Sequence, residues 1–156
     1  MVILSKLADY GVIVATHLAA DPERQMTAAA LAKETSLPRA TVAKVLKALA
    51  HAGIVAGARG AAGGYRLARD AAAISVSQVV AAIDGMMGVT QCTVHGPDCK
   101  RIQFCATRPH WRRINDAVGT ALSAITLAEM AVPFGLPPVR SPVADQAAPK
   151  QENRAS

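Results

Sequence analysis

Apolar residues recur at helical spacing from the start of the chain. Leu4, Leu7, Gly11 with Val12, Ala15 and Leu18 fall on one stripe, which predicts an amphipathic helix from a Ser5 cap to about Ala20. Asp21-Pro22 ends it, and Asp9 and Tyr10 lie early in it, off the main stripe. Thr27 is the next N-cap candidate and opens a short helix over 28–34. A turn of Thr35-Ser36-Leu37 then leads to Pro38, a residue suited to the first turn of a helix. The helix predicted over 38–52 has the clearest pattern, with Val42, Val45, Leu46 and Leu49 on a core-facing stripe. Arg39, Thr41, Lys44, Lys47 and His51 take its other faces, and Gly53 stands where a left-handed C-terminal cap belongs.

The period then changes. Residues 54–59 read as a short strand, Gly60 to Gly64 as a turn, and 65–69 as a returning strand with alternation. Ser75-Val-Ser-Gln78 is a capping-box pattern before a stripe of Val76, Val79, Val80 and Ile83, closed by Asp84-Gly85. Pro109 can start a long helix reaching about Ala131, with Ile114, Val118, Ala121 or Leu122, Ile125 and Ala128 forming a narrow seam. A narrow seam on a terminal helix suits pairing with a second copy, so a homodimer is expected. From Val132 the chain is Pro-, Ala- and polar-rich without a stripe, the pattern of a disordered tail. The fold class expected is mainly α with a small β-hairpin: a winged helix-turn-helix over 1–88, a cysteine loop over 89–108, a dimerisation helix over 109–131 and a tail over 132–156.

Charge sharpens this picture. The chain of 156 residues carries a formal net charge of +6, unevenly spread. Arg39, Lys44, Lys47, Arg59, Arg66 and Arg69 lie between Thr35 and Arg69 with no acidic residue among them. Lys100, Arg101, Arg108, Arg112 and Arg113 form a second acid-free run. A wet basic face on an ordinary helical hairpin is the plain alternative. Two such blocks, one on a short-helix, tight-turn, longer-helix unit followed by a basic hairpin, favour double-stranded DNA as partner. The second helix of that unit would enter the major groove, with Arg59 and Arg66 of the wing beside phosphates or in a minor groove. The glycines are no nucleotide loop, since Gly64 is followed by Tyr65-Arg66 instead of Lys-Ser/Thr. No Ser/His/Asp or paired-carboxylate pattern supports an enzyme. Aromatic residues make up only 3%, so the core must be built from Ala, Val, Leu and Ile. No apolar run approaches bilayer length, and a cytoplasmic protein without membrane association is expected.

All three cysteines, Cys92, Cys99 and Cys105, fall in one stretch with a Gly96-Pro97-Asp98 turn and almost no hydrophobic periodicity. An odd count argues against a closed disulfide framework. The C-x6-C-x5-C spacing lacks the C-x2-4-C of common zinc sites and the tight runs of bacterial ferredoxins. It points to thiolate-bound metal without saying which one. A structural zinc site, or a thiol redox sensor in which the basic run activates Cys99 or Cys105, are the competing readings.

The combination resembles the IscR/NsrR family of bacterial iron–sulfur regulators over about residues 1–130. The likeness is closest in Leu4-Ser5-Lys6-Leu7-Ala8-Asp9-Tyr10-Gly11, Gly53-Ile54-Val55, Arg59-Gly60-x-x-Gly63-Gly64-Tyr65-x-Leu67 and the three-cysteine loop before Trp111. Its opening and wing are most similar to the branch that controls the SUF iron–sulfur assembly operon. The resemblance implies a homodimeric regulator, expected to repress, on a palindromic operator with one iron–sulfur cluster per subunit, either 2Fe–2S or 4Fe–4S. It implies cluster thiolates at Cys92, Cys99 and Cys105, and DNA contacts from the helix bearing Pro38, Arg39, Thr41, Lys44 and Lys47 with Arg59, to which the wing pattern itself adds Arg66. The fourth ligand is expected at Asp9, with His110 as the alternative. Where some members have a histidine three residues after the last cysteine, this chain has Arg108. Cluster state would then set operator affinity in response to iron–sulfur supply, oxidants or nitric oxide.

Overall fold

The computed structural model describes residues 4–85, 88–90 and 103–132. Cys92, Cys99 and the tail beyond Val132 lie outside the described residues. Helix α1 spans Lys6–Ala20, and the Ser5 side chain caps it by accepting from the Ala8 amide, as its sequence predicts. Its buried face, with Ala8, Val12, Val14, Ala15, Leu18 and Ala19, is wider than the predicted stripe, and Leu4 is left exposed. The breadth follows from what surrounds it. Three further helices, α2 (Ala28–Thr35), α3 (Arg39–His51) and α4 (Val76–Asp84), pack on α1 from different sides. Alanines and a glycine at the contacts let these axes approach closely with almost no aromatic filling.

The helix-turn-helix is set by two left-handed residues. Ser36, at φ 56, ends α2, with the Leu37 amide donating to the Ala32 carbonyl at 3.1 Å. Gly53, at φ 68, ends α3, with the Ile54 amide on the Leu49 carbonyl at 2.9 Å and its own on Ala50 at 3.1 Å. Only glycine takes that conformation without steric cost, and the paired bonds satisfy carbonyls the helix end would leave open. Pro38 is the N-cap residue of α3 and stands just outside the first turn, not in it.

Strands β1 (Val55–Ala58) and β2 (Gly64–Leu67) pair antiparallel with Val55 opposite Leu67 and Gly57 opposite Tyr65. A third, one-residue strand completes the wing. Met26 exchanges both backbone hydrogen bonds with Tyr65, at 3.0 and 2.7 Å. Gly64 makes this possible, because a Cβ there would meet the Met26 backbone at 2.9–3.0 Å. A single 3-10 turn, Ala71–Ala73, leads to Ser75, whose predicted capping box with Gln78 is present.

The last helical stretch departs from its pattern. Residues 109–131 read as one helix, yet α5 runs Arg108–Ser123 and a separate α6 runs Leu127–Ala131. Thr126 caps α6 in a second capping box, with Glu129. The chain between them folds back on the domain. The Val76 amide donates to the Ile125 carbonyl at 2.9 Å and the Leu127 amide to Ile74 at 2.8 Å. Leu127 is fully buried and α6 packs on α1. Burying that side chain contributes roughly 1.5–3 kcal/mol, enough to break a helix whose continuation would leave it in water. Ile125 and Ala128, assigned by spacing to the seam, pack against the core instead. Leu122, in the last turn of α5, packs there too, so what remains of the seam is the earlier part of α5, with Ile114 and Val118. It has no buried residue, and Trp111 and Ile114 are 37% and 44% exposed.

Candidate nucleic-acid interface and cysteine segment

Helix α3 is held by one face only. Val42, Val45, Leu46 and Leu49 are fully buried, which turns Arg39, Lys44 and Lys47 outward and exposed, with Thr41 half-buried at the edge. No acid lies in its first turn, and Pro38 offers no side-chain cap. Among the described residues the ion pairs are those of Glu34 with His17 and Arg24, so the cations of α3 have no carboxylate partner. Arg59, just beyond β1, and Arg66, on the face of β2 opposite Leu67, are likewise exposed and unpaired. The wing and the N-terminus of α2 enclose a cleft of about 410 Å³, lined by Thr27, Ala28, Gly57, Arg59, Gly60 and Tyr65 among others.

At the surface, α2 is bridged to α1 by a cluster that the sequence reading missed. Glu34 accepts from Arg24 at 2.8 Å and lies 2.8 Å from the His17 ring nitrogen. These bonds, Arg24 first and then His17, hold its carboxyl below the ordinary value of 4.5. They join the end of α1, the connecting loop and the end of α2. His17 and Glu34 are 17 positions apart, beyond any helical periodicity, and no local pattern reveals them.

At the opposite end of α1, the Ser5 hydroxyl donates to Asp84 Oδ1 at 2.6 Å, and the Ser5 amide lies 3.3 Å from Oδ2. The head of α1 is thereby tied to the end of α4, from which the chain departs toward the cysteines. Asp9 is exposed in the first turn of α1, one turn on from Ser5, with no partner among the described residues. The Val89 amide donates to Asn115 Oδ1 at 3.1 Å and fixes the near side of the segment to α5. On the far side Cys105 precedes α5. Its carbonyl accepts from the Arg108 amide at 3.2 Å, and its Sγ lies 3.3 Å from Thr107 Oγ1.

The start of α5 is electrostatically unusual. It has no side-chain cap and no acid in its first turn, while Arg108, Arg112 and Arg113 crowd a helix end that favours negative charge. The Arg108 Nε is buried without a hydrogen-bond partner. His110 is exposed there. Among the described residues no three of His, Cys, Asp or Glu converge as a metal site, and the structure brings neither Asp9 nor His110 into such a group with Cys105. Cys92 and Cys99 lie outside the described residues. No helix among the described residues is long and apolar enough to cross a membrane.

A family model, Rrf2, described as an iron-dependent transcriptional regulator, matches residues 4–133. Over 82 residues the chain is 42% identical to the HTH-type transcriptional regulator IscR of Vibrio cholerae, covering 53% of this chain and 47% of that protein. Against IscR of Yersinia enterocolitica it is 39% identical over 79 residues, 50% of this chain and 47% of that one. The chain thus spans about half the length of the curated relatives it matches. Among solved structures, CymR, the global cysteine regulator of B. subtilis, is 27% identical with a TM-score of 0.69, over 84% of this chain and 97% of that one. IscR of T. potens is 26% identical with a TM-score of 0.66, over 83% and 85%.

Proposed function

The chain belongs to the Rrf2 family of transcriptional regulators, DNA-binding proteins and not enzymes, and on that premise we propose that it binds a palindromic operator as a homodimer and carries an iron–sulfur cluster. Its regulated genes would be those of iron–sulfur (SUF) assembly, held in repression. The observation that carries the DNA reading is the outward face of α3: exposed, acid-free and without ion-pair partners, beside a wing bearing Arg59 and Arg66. Cations fixed on a rigid helix and left unneutralised suit a phosphate backbone and the acceptors of a major groove.

The dimer reading rests on α5. Trp111, Ile114 and Val118 recur at coiled-coil spacing on a helix with nothing buried, so a second copy of α5 is the partner that would cover them. Two recognition helices would then be presented to half-sites about one helical turn apart.

For the cluster, the start of α5 gives the test of fit. A cluster held by thiolates is anionic, and at this end of the segment, three residues after Cys105, stand an uncapped helix end and three arginines, one of them with a buried Nε that lacks a hydrogen-bond partner. Those groups fit it. Cys92, Cys99 and Cys105 would supply the thiolates, and Asp9 the fourth ligand, with His110 as the alternative. Bound there, the group supplies a centre that oxidants and nitric oxide attack. The chain's own part is mechanical. Ser5–Asp84 and Val89–Asn115 fasten one side of the cysteine segment to α1 and α5, and Cys105 leads directly into α5. A change of order between these anchors would alter how α5 sets the two recognition helices.

Three outcomes are expected. Arg59→Ala and Lys44→Ala should weaken operator binding while leaving the melting temperature unchanged, each lowering the salt dependence by about one unit if its contact is to phosphate. Retained affinity in both variants, measured by fluorescence anisotropy across a salt series, would take α3 and the wing out of the interface. Ile114→Glu, at a position exposed in the single chain, should leave the fold intact and yield a monomer, because an unpaired charge buried between helices costs several kcal/mol. Sedimentation velocity showing an intact dimer would move the interface away from α5. In protein purified without air, Asp9→Ala should change the visible absorption and circular dichroism of the cluster while His110→Ala preserves them; the reverse pattern assigns the ligand to His110.

A further inference from the structure

The chemistry on the outward face of α3 is narrow enough to say which bases it reads. Opposite the buried stripe of Val42, Val45, Leu46 and Leu49, the exposed positions toward the helix start are Arg39, Ala40, Ala43, Lys44 and Lys47. The half-buried Thr41 borders them. Every polar head group in this set except the one hydroxyl is a pure donor, and the rest are methyl groups. The face holds no carboxylate and no carboxamide. The cytosine amino group is read by carboxylates, and adenine is read in a two-bond fit by Asn or Gln. Neither a carboxylate nor a carboxamide is available here, and the one hydroxyl, which could face any base, belongs to Thr41, half-buried at the edge of the face. Guanine, with two acceptors at O6 and N7, suits a lysine, and the thymine methyl suits an alanine methyl.

We infer that α3 is a guanine-and-thymine reader, in which Lys44 donates to a guanine and the methyls of Ala40 and Ala43 pack on thymine methyl groups. This deepens the proposed DNA function and rests on it. The lever arms support the division of labour. Alanine side chains keep the helix backbone close to the base edges, because any longer residue at 40 or 43 would hold it away. Lys44 lies next to Ala43 and one turn beyond Ala40, where a four-carbon stem reaches past the small residues to the groove floor. Lys47 and Arg39, at either end of the face, are left for the phosphates that fix register. The core stripe is fully buried, so α3 cannot rotate to offer another face without exposing four aliphatic side chains.

The experiment selects duplexes from a randomised library with the full chain purified without air, then rebuilds the enriched duplex with base analogues. Deoxyuridine in place of a contacted thymidine removes only the C5 methyl and should weaken binding roughly fourfold, the worth of one buried carbon. 7-Deazaguanine at the contacted guanine removes N7 and should weaken binding roughly fivefold or more, the lower end for a specific base contact. The wild-type chain is used throughout these two substitutions, so folding does not enter. Ala43→Gly should lose the response to one deoxyuridine, and Lys44→Ala the response to 7-deazaguanine. No enrichment from the library would remove the DNA-reading function itself. An enriched duplex whose affinity ignores both analogues would leave DNA binding standing and overturn the assignment of α3 as a guanine-and-thymine reader.

Discussion

Burial of α1 is the constraint on which the other elements depend. Every layer of the domain is built on it: α3 on one side, α4 and α6 on others, α2 and β2 at its margins. With so few aromatic residues in the chain, close approach has to supply the packing that large side chains would otherwise give. Ala8, Val14 and Ala15 are fully buried, and Gly11 lies against Ile83 of α4. The same helix also joins the two functional ends. Its C-terminal end carries His17, which with Arg24 bridges to Glu34 at the end of α2, just before the turn into α3. At its N-terminal end Ser5 is bonded to Asp84, where the chain leaves for the cysteines. The helix-turn-helix and the start of the chain's path to the cysteines are therefore both anchored on one helix.

Local signals were readable in the sequence wherever a residue type serves one conformational purpose. Ser5, Thr27 and Ser75 were legible as caps because short hydroxyl side chains before apolar stripes have little other use, and all three accept the expected amide bond. The stripe of α3 was legible because it has one core-facing side, and with it came the outward set of cations. The wing followed from Arg59-Gly60 and Gly63-Gly64 between alternating runs.

Where the reading failed, the deciding contact was distant in sequence. Met26 joins the wing through its backbone bonds to Tyr65, which leave no mark on side-chain pattern. The continuous helix expected through 131 satisfied its own periodicity, yet docking on Ile74 and Val76 outweighed it. A signal for that break was present in Thr126-Leu-Ala-Glu129, a capping box inside the apparent seam. Ile114 and Val118, on α5, remain of the narrow seam expected over the whole stretch, while Leu122, Ile125 and Ala128 turn to the core. Of the cysteine segment, Cys105 and the arginines at the start of α5 lie among the described residues, and Asp9 stands exposed on α1; no sequence pattern carries their mutual geometry, because it depends on contacts between separate elements.

The central claim is that one chain couples a thiolate-held iron centre to a winged-helix DNA interface through α5. The most direct measurement is operator affinity of a single preparation, assayed without air before and after its iron is removed by chelation, with iron and sulfide determined on both samples. The account predicts bound iron and sulfide in the first sample and at least about a tenfold change in affinity between the two, the scale of an ordinary allosteric coupling. Iron-containing protein whose affinity is the same in both states would contradict it.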